Sequence, residues 1–154
     1  MIIRKSNLLA GLLFAYLFVG TIAYGGEGGE LLAEQKHHSG QQSLELNQGK
    51  KWKADVHTMK SAEKMKKAAD NFAKANGDLK LSDYHAQAGR QKEILDQLIQ
   101  GCTMSGPAHD QLHVWIVELL PNLKKLESAK NIEAAKESFH HLNSSIHEFG
   151  RYFH

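Results

Sequence analysis

"PAHDQLHVWIVELLPNLKKL", residues 107–126, is the stretch that decides the fold. His109, Leu112, Ile116, Leu119, Leu123 and Leu126 recur at steps of three and four, which lines them up along one face of an α-helix. Pro107 suits a first helical turn, where its missing N–H would have had no partner. Pro121 removes one ladder bond, to Val117, but the stripe runs on through Leu123 and Leu126, so the expectation is a kink within one helix rather than an end.

The same spacing appears three more times. Trp52, Val56, Met59, Ala62, Met65, Ala69 and Phe72 form an Ala-rich stripe over about residues 52–76, with Gly77 as its stop. Leu81, Tyr84, Ala88, Gln91, Leu95, Leu98 and Cys102 alternate strictly by three and four from about residue 79 or 82 to 101, which puts Cys102 on an inward seam. The last stripe is Ile132, Ala135, Phe139, Leu142, Ile146, Phe149 and Phe153, opened by Asn131, a favoured N-cap. No alternating apolar run suggests a strand. Connections of a few residues turn each helix back along its predecessor, so the predicted fold is all-α, an up-down-up-down antiparallel four-helix bundle over residues 51–154. Burial of the Leu, Ile and Phe seams, at about 25 cal/mol per Å² of apolar area, is its main stabilising term.

Upstream the pattern changes. Arg4 and Lys5 precede the apolar run of residues 8–23, "LLAGLLFAYLFVGTIA", and Ala23-Tyr24-Gly25 places small residues where a signal peptidase reads. The reading is a cleaved signal peptide, residues 1–25, on a run shorter than the ~20 apolar residues a comfortable membrane span needs. Residues 26–50, polar and glycine-rich, read as a flexible leader. The expected location is periplasmic or secreted, with no stable membrane insertion after cleavage. Cleavage removes two cations and no anions, so the formal charge of +2 falls to zero. A neutral mature chain without basic runs is not built to grip phosphate backbones, so no nucleic-acid partner is expected.

An exported chain with one cysteine is unusual, since such proteins spend cysteines in pairs. Cys102 is a ligand, half of an intermolecular disulfide, or buried filler. The expected topology sets the start of helix 1, the second turn and the end of helix 4 at one pole, where Cys102, Met104, His109 and His113 collect. His109 and His113, four apart, share a helical face and can reach one ion. Thiolate with imidazole suits zinc or copper, and thioethers from Met104 or Met59 tilt the choice towards Cu(I). His57, Met59 and His147 are further candidates at the same pole. Core packing is the competing reading for His109 and Met59, and a solvated flank for His140, His147 and His154, which repeat every seven residues beside the seam.

The helical part resembles the periplasmic four-helix b-type cytochromes in layout, through "DVHTMKSAEKMKKAAD" and "KNIEAAKESFHHLNSSIHEFGRYFH". That resemblance implies a haem b held by an axial Met59 and an axial His147, although His147 lies beside the seam of Ile146 and Phe149. No C-x-x-C-H is present for covalent haem attachment. More loosely, "GKKW" opening a bundle whose central turn is "CTMSGPAHDQLH" resembles small exported proteins associated with bacterial metal resistance.

Three functions follow as expectations. The first is an exported transition-metal-binding protein for copper or zinc, acting as buffer, carrier or sensor, with a metal-efflux or redox protein as partner. The second is a haem-binding electron-transfer bundle, and the third a non-enzymatic helical scaffold. An enzyme is not expected, because a thin bundle offers little concave volume for a substrate.

Overall fold

In the computed structural model of the protein, residues 43–75 and 77–154 are described. They form four helices: α1 (Val56–Ala73), α2 (Leu81–Gly101), α3 (Pro107–Glu127) and α4 (Ile132–Tyr152). The expected signal peptide and most of the leader lie outside the described residues. Among the described residues there are no strands, and no helix is long and apolar enough to cross a membrane. Each helix packs against the next in sequence, α4 also packs against α1, and α2 and α4 touch across the middle, the pattern of a four-helix bundle.

The apolar stripes make the core. In α3, Leu112, Ile116, Leu119, Leu123 and Leu126 are buried, and in α4 Ala135, Phe139, Leu142, Ile146 and Phe149. Trp115, one turn on from Leu112, widens the α3 stripe; its indole stacks edge-on against Phe149 and donates to the carbonyl of Ser145 at 2.8 Å. Pro121 stays inside one helix, as the unbroken stripe requires. Gln91 occupies its seam position fully buried and donates to the carbonyl of Met65 at 3.1 Å, a polar tie between α2 and α1. The N-caps follow side-chain chemistry: Asn131 accepts from the N–H of Ala134 at 2.8 Å and Asp55 from that of Thr58 at 2.6 Å, each satisfying a donor the helix leaves open.

Helix α1 begins one turn later than its periodicity suggests. Trp52 is extended rather than helical, and it pairs in parallel with Phe153 through Trp52 N–H to Tyr152 O at 2.7 Å and His154 N–H to Trp52 O at 3.0 Å. Val56, expected on the inward stripe, is therefore a first-turn residue with 70% of its surface exposed. The last residues of the expected flexible leader are also folded: Asn47 and Lys50 exchange two backbone bonds around Gln48 and Gly49, both at positive φ. Glycine reaches that region without steric cost. This turn is fixed by Glu45 N–H to Gln111 Oε1 at 2.7 Å and by the Trp52 indole, which donates to Glu45 O at 2.6 Å. These contacts hold the residues ahead of α1 against α3 and the end of α4, and bonds from Thr103 to Asp55 tie the α2–α3 connection to the start of α1 at the same pole.

Candidate metal centre

The site begins with helix spacing. His109 and His113 stand four apart near the start of α3, so their rings project from one face. Their Nε2 atoms are 3.1 Å apart, and the rings meet edge to face with centroids 4.5 Å apart. One imidazole donates its Nε2–H to the Nε2 lone pair of the other. His109 is half-buried and His113 exposed, so the pair reaches from the seam to water.

Both rings line a small cleft of about 130 Å³, together with Cys102 and the apolar side chains of Leu98, Ile99, Leu112 and Ile116. Cys102 is the C-cap of α2, with an extended backbone, and its thiol is free and half-buried. A thiol and two imidazoles thus share one cleft with hydrocarbon walls. Among the described residues no group of three or more His, Cys, Asp or Glu side chains is placed so that it could hold a metal ion. The close approach is that of the two histidines, and Cys102 lines the same cleft without completing a third ligand position.

Met104 lies elsewhere. It lines a separate shallow depression with Lys53, Ala54, Asp55, Thr103, Ser105 and Ala108, and its side chain packs against the core. His57 is taken up by α2: its Nε2 donates to the carbonyl of Gln97 at 2.8 Å, and its ring fills the space beside Gly101. His85 performs a similar task at the opposite pole, where its Nε2 donates to Ala129 O at 3.0 Å and fastens the α3–α4 turn.

Met59 and His147 do share a cleft, of about 110 Å³, with Ala62, Glu63, Lys66, Ile146, Phe149 and Gly150. This does not fit a haem. Pockets for drug-sized ligands run to about 300–1,000 Å³, and the macrocycle needs an open slot between its two axial ligands. The Nε2 of His147 is in addition committed to Asp70 Oδ1 at 2.8 Å. Asp70 accepts from Lys66 on its other oxygen, also at 2.8 Å, and hydrogen bonds from Lys66 and then His147 hold its carboxyl below the ordinary carboxylate range.

Asp55 was absent from the sequence-derived candidates, yet it organises this pole. Its Oδ1 caps α1 at Thr58 N–H, while Oδ2 accepts from the backbone N–H of Thr103 at 2.6 Å and from the Thr103 hydroxyl at 2.9 Å. Burial pushes its carboxyl upward, but the hydrogen bonds from Thr58 and Thr103 outweigh that and hold it at about 2. The sequence signal was an Asp just ahead of an apolar-periodic run, masked here because the run could be extended back to Trp52.

No protein-family profile, curated protein or solved structure matches the chain.

Proposed function

We propose that the protein is an exported transition-metal-binding protein, not an enzyme, that takes up zinc or copper through His109, His113 and Cys102. The observation that carries this reading is the 3.1 Å separation of the two Nε2 atoms. Two imidazole nitrogens bound at 2.0–2.1 Å to one tetrahedral ion stand about 3.3 Å apart, so an ion fits between them once the rings turn their Nε2 lone pairs towards it and the donor imidazole carries its proton on Nδ1 instead of Nε2. Cys102, which lines the same cleft, supplies a third donor at about 2.3 Å once its side chain moves towards the ion and its thiol proton is released to solvent. A fourth position stays open on the solvent side, where His113 is exposed. An open position suits an ion that is passed on, as in a buffer, carrier or sensor.

The donor set bears on the choice of ion. With Met104 and Met59 lining other clefts, the cleft offers two imidazoles and one thiolate. That set accepts Zn(II) as readily as copper, and the extra softness that thioethers would lend to Cu(I) is absent. A cleft of about 130 Å³ leaves no room for a substrate beside the ion, which disfavours thiol-based hydrolysis at Cys102. An up-down-up-down order, with a signal peptide cut near Gly25 and a periplasmic or secreted location, completes the proposal; the partner is the efflux or redox protein that receives the ion.

Competition with a chromogenic chelator tests the reading. The full chain should bind Zn(II) or Cu(I) at one ion per chain, and His109→Ala, His113→Ala and Cys102→Ser should each weaken binding by tenfold or more. Unchanged affinity in both Cys102→Ser and His113→Ala would remove the site.

A further inference from the structure

Of the three donors in the cleft, two are positioned by a helix and one is not. His109 and His113 are carried by the first turns of α3. Cys102 sits just past α2, and its own N–H reaches Ile99 O only at 3.4 Å. Its place is set by its chain neighbours, and the start of α1 holds both sides. On one side the His57 ring lies against Gly101 so closely that a methyl group there would overlap Nε2, Cδ2 and Cε1, and Nε2 donates to Gln97 O at 2.8 Å. On the other side Asp55 Oδ2 takes both the N–H and the hydroxyl of Thr103. Neither Asp55 nor His57 lines the cleft.

We propose that Asp55 and His57 are positioning residues, a latch by which the start of α1 fixes the backbone of Cys102 at the cleft that the two imidazoles line, so that ion binding and latch closure stabilise each other. The inference rests on the metal reading above and adds its regulation. Coupling of this kind is reciprocal: the factor by which a closed latch raises ion affinity is the factor by which the ion stabilises the closed latch. Opening the first turn of α1 frees Cys102 and lowers affinity, which gives a receiving protein a handle for release that does not require touching the ion.

The discriminating variant is Asp55→Asn. Asparagine matches aspartate as an N-cap, so its remaining oxygen keeps the bond to Thr58, while the acceptor for Thr103 is lost. Thr103→Val, which removes only the hydroxyl, is a milder second variant. Chelator competition with Zn(II) should show about tenfold weaker binding in Asp55→Asn, the scale of a charge-assisted hydrogen bond, and a smaller loss in Thr103→Val. Hydrogen exchange adds a readout that general destabilisation does not reproduce: Zn(II) should slow exchange of the Thr103 amide in the wild type and not in Asp55→Asn, with the Thr58 amide protected in both. Without metal, iodoacetamide should alkylate Cys102 faster in Asp55→Asn than in the wild type. Wild-type zinc affinity in Asp55→Asn, with binding still lost in Cys102→Ser, would overturn the latch and leave the metal site standing. An unchanged alkylation rate would also overturn it. Failure of the wild type to bind Zn(II) or Cu(I) would overturn the metal reading, and the latch as regulator with it.

Discussion

Replacing Gly101 by alanine gives a stability test that reads the contact between α1 and α2 directly. A Cβ at this position would overlap the His57 ring, so His57 must swing out towards solvent and give up its bond to Gln97 O. That loss costs about 0.5–1.5 kcal/mol. Against it stands the helical preference of alanine over glycine, about 0.5–1 kcal/mol in a helix interior and less at the final residue, where Gly101 stands. Gly101→Ala alone should therefore be neutral or cost up to about 1 kcal/mol. In a His57→Ala background the overlap is gone, and the same substitution should stabilise by a few tenths to about 1 kcal/mol. A double-mutant cycle in urea should give a coupling of about 1 kcal/mol between the two positions, well above the ~0.3–0.5 kcal/mol scatter of independent sites. Additive effects of the two substitutions would refute the packing of His57 on Gly101 and remove one arm of the latch.

Acid should act through Asp55. Its folded carboxyl titrates at about 2, below the ~3.9 of an unfolded aspartate, so its contribution is complete above pH ~4 and is lost as pH falls from there through 2. Discounted for its partial exposure to solvent, that contribution is about 1–2 kcal/mol, and urea midpoints of wild type and Asp55→Ala should converge between pH 4 and 2; a constant gap would argue against the assigned bonds. Leu119→Ala, at a fully buried position on α3, should cost about 2–5 kcal/mol in the same assay, and a loss under 1 kcal/mol would contradict the bundle core. Asn131→Ala should cost about 1 kcal/mol by removing the α4 cap, checked by the same midpoints. Ion and proton compete for the same nitrogen and sulfur lone pairs, so zinc affinity should fall as pH drops below about 6; affinity flat from pH 5 to 8 would mean other ligands.

What the sequence made legible was periodic. Asn131 and Pro107 announced helix starts, the unbroken stripe through Leu123 and Leu126 showed that Pro121 lies within a helix, and the seams of α2, α3 and α4 entered the core as their spacing requires. What it hid was non-local or aperiodic. Trp52 matches the α1 stripe by spacing, but its backbone finds Phe153 and its indole finds Glu45, bonds that no local pattern announces. Trp115 could have been found by allowing the α3 stripe a third position per two turns, since a helix facing two neighbours needs a broader apolar face.

The site divides along the same line. The joint approach of His109 and His113 follows from a four-residue step on one helix, and the sharing of a cleft with Cys102 from the seam of α2. Met104 stands in the connection 102–106, where no period fixes a direction, and it lines the depression beside Asp55. His57 and His147 were placed at a plausible level along their helices, but their rings satisfy Gln97 and Asp70, partners 40 and 77 residues away in sequence. The polar atom nearest in space decides what an exposed imidazole does, and that neighbour becomes visible only when the chain is folded.

X-ray absorption on the zinc-loaded full chain probes the donor set most directly. The account predicts a first shell with one sulfur at about 2.3 Å and two imidazole nitrogens at about 2.0–2.1 Å, the sulfur lost in Cys102→Ser and one imidazole in His113→Ala. A shell of oxygen and nitrogen without sulfur, unaltered by either substitution, would contradict it.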